Sequence, residues 1–294
     1  MRLFLPTLLT VVIAVALPLA ASAQSTTLQP FKDDLFAYPT MLKSDDDGAY
    51  LVVDYRELRD INERDEVPER RVKRAYVSLG IRSAQKDFKL QSPAGDLRFH
   101  AVGKTEGASI VTVYLHGQGG SRRQGVDDFT FGGNFNRIKN LMVENNGLYL
   151  SPDFSDFGDK GAADVAVLIE HYAQASPNAK LFIACGSMGG FLCWKLAEND
   201  RIAPRLSGLL LDLVHDDNFR STAAFKRKVP IFFGHGSHDT VFAIEGQEAF
   251  FRSLRDTKGG YPTRFVRFET GTHGTPIRMT DWRDVLNWML SVGR

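Results

Sequence analysis

Leu181-Phe182-Ile183-Ala184-Cys185-Gly186-Ser187-Met188-Gly189-Gly190-Phe191 reads as a buried strand, a sharp turn and the start of a helix. Leu181 to Ala184 are apolar without alternation, the pattern of a strand covered on both faces. Glycines then break the run before a helical stretch. So tight a turn leaves no room for large side chains two positions before and two after its apex. Cys185 and Gly189 occupy those places, and Ser187 is the apex. Cys185 stands where a glycine is usual, a mild departure because cysteine is small. Such a turn points the serine hydroxyl out of the sheet, above a helix N-terminus that favours developing negative charge. The bland alternative is an incidental serine in a glycine-rich turn.

Working outward, short apolar runs recur at Ile110 to Leu115, Leu148 to Leu150, Leu209 to Val214, Val229 to Phe233 and Phe265 to Phe268. Between them lie helical spacings. Val165, Leu168, Ile169 and Tyr172 fall at i, i+3, i+4 and i+7, and so do Trp282, Val285, Leu286 and Met289. Before them, Phe88-Lys89-Leu90 and Leu97-Arg98-Phe99-His100 alternate around Pro93-Ala94-Gly95-Asp96, a β-hairpin signature. The expected fold is α/β: a doubly wound, mostly parallel sheet with an antiparallel N-terminal hairpin. Right-handed crossovers then place the loops after the strands along one edge, where ligands bind.

Three more segments lie on that edge. Val113-Tyr114-Leu115-His116-Gly117-Gln118-Gly119-Gly120 ends a strand in a glycine-rich loop. Backbone N–H groups there can meet an oxyanion, one from Gly117 or Gln118 and the other from Met188. A phosphate cradle is disfavoured, because neither G-K-[ST] nor G-x-G-x-x-G is present. Phe232-Phe233-Gly234-His235-Gly236-Ser237-His238-Asp239 is a strand leading to a carboxylate, and Phe268-Glu269-Thr270-Gly271-Thr272-His273 is a strand leading to an imidazole. A hydroxyl nucleophile needs an imidazole base, and the imidazole needs a carboxylate to orient it. Ser187, Asp239 and His273 supply these groups in the order serine, acid, histidine. His215, His235 and His238 compete for the base, and Asp212, Asp216 and Asp217 for the acid. His100 and His171 read as structural.

From about residue 87 to the end, about two-thirds of the chain, the sequence resembles an α/β-hydrolase serine esterase. The resemblance implies Ser187 as nucleophile, Asp239 as acid, His273 as base and an oxyanion hole in the loop after His116. Pro152-Asp153-Phe154 with Gly158 resembles the loop after the fourth strand of that superfamily, with a structural role for Asp153.

The N-terminus has a different composition. Arg2 is the only charge before Lys32, an apolar run extends from Leu3 to Ala20, and Ala21-Ser22-Ala23 follows. These are the parts of a secretory signal peptide cleaved after Ala23, which implies a periplasmic or secreted protein. An uncleaved anchor is the rival, disfavoured by Pro6 and Pro18 inside the run. No second stretch is apolar enough to span a bilayer. The expected organisation is a signal peptide over 1–23, an N-terminal extension packed on the core over 24–86, and a catalytic domain over 87–294. Within the extension, Tyr50 to Tyr55 reads as a strand, and the charge-dense Arg56 to Arg74 as a solvated helix and turn. Cys185 and Cys193 are expected as two buried free thiols, because a strand end and a position more than a turn into the next helix read as too far apart to bridge.

With 36 basic and 35 acidic residues, no charge excess points to nucleic acid or an anionic membrane. No His or Cys cluster has metal-ligand spacing, and Asp153, Asp156 and Asp159 match no recognised cation loop, so no metal and no organic cofactor is expected. About fifteen residues separate Val214 from Val229, too few for a large lid. The stretch from Gly117 to Asn136 is the candidate cover, and His116, Arg122, Arg123 and His238 are candidate substrate contacts. The function expected is an exported serine hydrolase acting on a carboxylic ester or thioester, with a small-molecule or lipid-like acyl substrate. The alternatives are a serine peptidase of the same fold and a non-catalytic binding protein. The oligomeric state is not legible in the sequence.

Overall fold

The structure is a computed structural model that describes residues 27–212 and 215–293. The expected signal peptide over 1–23 lies outside the described residues. The apolar runs become inner strands of one ten-stranded sheet made of β1 (Met41–Asp45), β2 (Tyr50–Asp54), β5 (Gln85–Ser92), β6 (Gly95–Gly103), β7 (Ile110–Leu115), β8 (Leu148–Pro152), β9 (Lys180–Gly186), β10 (Leu206–Asp212), β11 (Ile231–Gly236) and β12 (Thr263–Glu269), with β1 and β5 at its edges. Two short strands, β3 (Asp65–Val67) and β4 (Arg71–Val72), pair as a separate ribbon. The large sheet has the order β1-β2-β12-β11-β10-β9-β7-β8-β6-β5. It is parallel from β8 through β2, and antiparallel at β1 with β2, at β5 with β6 and at β6 with β8. This is the α/β-hydrolase arrangement with an antiparallel start, as the strand and helix patterning predicted.

Every residue of β7 and β11 is buried. Alternate side chains enter opposite cores, Val111, Val113 and Leu115 on one face and Ile110 and Tyr114 on the other. Helices α3 (Asp159–Ala175), α4 (Gly189–Glu198) and α6 (Ile244–Arg255) cover the first face, and α2 (Asn134–Glu144) and α8 (Trp282–Val292) the second. Three short helices, α1 (Asp33–Phe36), α5 (Ala223–Lys226) and α7 (Thr275–Met279), fill connections. Residues 215–230 hold a 3-10 turn and α5, so no large lid follows β10.

Two sequence expectations change. The segment before residue 87 does more than pack on the core. Its β2 pairs in parallel with β12, and β1 forms the sheet edge beyond it. The stretch from Arg56 to Arg74 is solvated over most of its charged residues, as expected, but not over all of them. It forms one π-helical turn and the β3–β4 ribbon, and it buries Asp60, Arg64 and Asp65. Its charges found protein partners. Arg278 in α7 donates to both Asp65 carboxylate oxygens at 3.0 and 2.7 Å and to the Asp60 carbonyl at 3.0 Å. Arg64 donates to the Gly132 carbonyl at 2.7 Å. Fully buried Arg137 in α2 bridges Asp33 and Asp281 at 3.1 and 2.9 Å. Charge density predicts the exposure of most of this stretch, and misses the three residues whose partners arrive from distant sequence.

The third change concerns the cysteines. Cys185 and Cys193 form a disulfide with Cα atoms 6.4 Å apart, inside the range a bridge accepts. The turn at Ser187 folds α4 back along β9, so the residue one turn into the helix returns to the strand end. The bridge is buried, Cys185 being 1% and Cys193 0% exposed. Replacing both cysteines by alanine should lower stability by about 2–3 kcal/mol for so short a loop and the melting temperature by about 5–10 °C. Urea and thermal unfolding of the oxidised parent and the variant would measure this, and equal midpoints would show that the bridge contributes nothing. Arg278→Met should cost about 3–5 kcal/mol, because it leaves the Asp65 carboxylate buried and unpaired. An unchanged urea midpoint would refute that assignment.

Candidate active site

The C-terminal ends of β7, β9, β11 and β12 lie along one edge of the sheet, with β10 between β9 and β11, and each of the four emits one loop of the site. After β9, Ser187 has φ 51°. That left-handed backbone costs a non-glycine residue on the order of 1–3 kcal/mol and persists only where the surroundings enforce it. The enforcement is visible in the contacts. A β-carbon at Gly117 would fall 2.7 Å from the Ser187 Cβ, and one at Gly189 would fall 2.5 Å from the Leu115 carbonyl oxygen. The turn therefore wedges Ser187 against the loop after β7.

Ser187 Oγ lies 3.0 Å from His273 Nε2, and His273 Nδ1 lies 2.9 Å from Asp239 Oδ2. A carboxylate can only accept, so Nδ1 carries the proton and Nε2 presents a lone pair to the serine hydroxyl. The Asp239 carboxylate has no exposure. Its Oδ1 accepts the backbone N–H groups of Val241 and Phe242 at 2.7 and 3.1 Å, which fixes the side chain in a tight loop. The line from Asp239 through His273 to Ser187 is continuous.

On the other side of Ser187 stands the glycine-rich loop. The N–H groups of Gln118 and Met188 have no backbone partner among the described residues. Gly120 N–H donates to the Gly117 carbonyl at 3.1 Å and curls the loop. His116, one of the expected substrate contacts, is instead a buried pillar. Its ring stacks on Phe154 at 4.2 Å and meets Phe157 edge-on, with Nδ1 2.9 Å from the Gly117 carbonyl. Burial lowers its pKa and keeps it neutral.

Arg122 is corrected in the same way. It bonds Asp153 at 2.7 Å and Asp87 at 3.2 Å, and Asp153 also takes its backbone N–H at 2.8 Å. It anchors the loop, and Asp153 has the structural place expected of it. Arg123 is exposed, with no side-chain partner among the described residues. His238 is exposed beside Glu269, whose carboxyl is held low chiefly by Arg267 and in small part by His238. Asp156 accepts two backbone N–H groups and Asp159 pairs with Lys195, so with Asp153 the three carboxylates point to separate partners.

Of the rival residues, His235 lies against the acid, its Nε2 3.7 Å from the same Asp239 oxygen that His273 contacts at 2.9 Å. His235 is fully buried, with Nε2 3.1 Å from the Phe242 carbonyl, and burial lowers its pKa. His215 is beside Asp217 at 3.8 Å, and Asp216 caps the turn at Asn218. Asp212 ends β10 opposite Gly186 and Gly234.

One wall of the site was not expected. Beside His273 lies a cavity of about 330 Å³ whose lining includes Tyr55, Ile61 and Glu69 of the N-terminal segment and Phe131 of the cover loop. Other hollows, one of about 360 Å³ and one of about 730 Å³, lie at the opposite edge, around the strand starts at Ile110 and Lys180. Only Phe131 was near a sequence signal, as an aromatic in the candidate cover.

No family model matches the chain, and no curated protein matches it. Solved structures do. A thermostable esterase shares 17% identity with a TM-score of 0.58, covering 73% of this chain, which spans 64% of that protein. The feruloyl esterase module from Clostridium thermocellum, complexed with sinapinate, shares 14% identity over 76% of this chain and 94% of that one, with a TM-score of 0.57. A serine hydrolase without a lid from Xanthomonas campestris shares 15% identity over 71% and 94%, with a TM-score of 0.51. At such identities the likeness speaks for architecture, and in architecture this chain is an α/β-hydrolase.

Proposed function

We propose that the protein is an exported serine hydrolase that cleaves carboxylic esters or thioesters through an acyl-enzyme. The observation that carries this reading is the continuous Asp239–His273–Ser187 hydrogen-bond line, with spacings of 2.9 and 3.0 Å. Each spacing is within reach of direct proton transfer.

In the first half-reaction, Ser187 Oγ bonds to the substrate carbonyl carbon while its proton passes to His273 Nε2. The carbonyl oxygen becomes an oxyanion facing the Gln118 and Met188 N–H groups, or Gly117 in place of Gln118. Asp239 stabilises the imidazolium that forms. His273 returns the proton to the departing oxygen or sulfur as the carbon–leaving-group bond breaks. In the second half-reaction, water gives a proton to His273 as it bonds to the acyl carbon, and His273 passes that proton to Ser187 Oγ as the acyl–oxygen bond breaks and the acid leaves. The steps call on no metal and no organic cofactor. The N-terminal signal peptide supports export, and an oxidising compartment suits the Cys185–Cys193 bridge.

A fluorophosphonate probe should label the parent covalently and leave Ser187→Ala unlabelled. Equal labelling of the two proteins would sink the assignment. Asp239→Asn should keep the fold and lower kcat on p-nitrophenyl acetate by about 10⁴-fold, because the histidine then adopts the wrong tautomer. A loss under tenfold would show that Asp239 does not orient His273. Acyl esters set against aminoacyl amides of the same acyl part separate esterase from peptidase by kcat/KM.

A further inference from the structure

His273 returns its proton to the departing oxygen, so the leaving group must lie against the histidine loop. The acyl oxygen is held on the opposite side, by the loop after β7. The cavity of about 330 Å³ is on the histidine side, since Thr272 and Gly274, which flank His273, both line it. Thr275 forms part of its floor, beside the Tyr55 side chain. Burial raises the Tyr55 pKa, so the phenol stays neutral. Phe131 closes another side. A β-carbon at Gly274 would sit 3.6 Å from its ring, so the ring edge reaches the residue after His273.

Charge in this cavity is one-sided. Arg278 also lines it, but both Asp65 oxygens neutralise its guanidinium. Glu69 is the other ionisable wall residue capable of full charge near neutral pH. Its carboxylate is exposed and has no hydrogen bond or ion pair among the described residues. Its backbone is held at φ 61°, a left-handed conformation, with its N–H donated to Asp65 at 2.8 Å. The buried Arg278–Asp65 pair thus fixes the position from which Glu69 projects. An unpaired carboxylate beside a phenol and a phenyl ring is the chemistry that recognises an ammonium group on an apolar body.

Resting on the esterase reading, we propose that this cavity binds the alcohol part of the substrate and selects an alcohol bearing an ammonium group, with Glu69 as the residue that sets the preference. The test compares acetylcholine with its uncharged carbon analogue, in which a tert-butyl group replaces the trimethylammonium group. Shape is then constant and charge is the variable. The parent should favour acetylcholine by about five- to tenfold in kcat/KM, and Glu69→Gln should bring the ratio close to one. A parent ratio near one, or an unchanged ratio in Glu69→Gln, overturns the proposal. p-Nitrophenyl acetate hydrolysis by the parent, lost in Ser187→Ala, reports on the esterase reading separately. If that hydrolysis is absent, calorimetric titration of choline still decides the cavity's chemistry. Binding to Ser187→Ala that weakens several-fold in the Ser187→Ala, Glu69→Gln double variant upholds the cation site, and equal or absent binding in both refutes it.

Discussion

The left-handed backbone of Ser187 is the constraint on which the rest of the site depends. At φ 51° the serine opposes its own backbone preference. A free loop would relax, and this one is prevented from three directions. Gly117 presses on the serine β-carbon, Gly189 brings α4 against the end of β7, and the Cys185–Cys193 bridge ties the helix to the strand that feeds the turn. The first two contacts require glycine because any β-carbon there would collide. The third needs no special backbone, only that α4 fold back on β9. The hydroxyl is thereby held where the histidine loop can reach it, and the loop after β7 is set by the same contact that strains the serine.

The second constraint is electrostatic and acts over long sequence distance. Arg278 belongs to α7, a single short helix just after His273, and its partner Asp65 lies on the N-terminal ribbon. Desolvating this pair is costly, and bidentate geometry is what makes it tolerable. It fixes the ribbon against the core. Arg64 extends the junction to the cover loop through the Gly132 carbonyl, and Gly132 must remain small because a β-carbon would come within 3.0 Å of the Arg278 guanidinium.

Features carried by local patterning were legible in the sequence. Continuous apolar runs such as Ile110 to Leu115 predicted parallel strands, and the strand-end positions of Ser187, Asp239 and His273 predicted residues that the structure joins in one line, His273 lying 2.9 Å from Asp239 and 3.0 Å from Ser187. Features decided by partners far along the chain were not. Arg122 reads as an available cation until Asp153 and Asp87 are seen around it, and His116 reads as a site residue until Phe154 stacks on it. The cysteines read as distant because helix rise separates them, whereas the tight turn reverses the chain direction and cancels that distance. Glu69 and Tyr55 carry no motif. Only the parallel pairing of β2 with β12 and the pair of Asp65 with Arg278 deliver them to His273.

His273 and the N-terminal wall are not independent parts. Thr275, the first residue of α7, accepts the Thr272 N–H at 2.9 Å and so closes the loop that presents the imidazole. Thr275 also lines the cavity with Tyr55, and Thr270 in the same loop donates to the Tyr55 carbonyl at 3.0 Å. One turn further along the helix, Arg278 grips the ribbon that carries Glu69. A shift of the wall must therefore move α7, and with it the imidazole relative to Ser187. Such coupling restricts how the wall can vary. Side chains that line the cavity without supporting it, Glu69 first among them, are free to vary, whereas Tyr55, Asp65 and Arg278 are bound to the placement of the histidine loop.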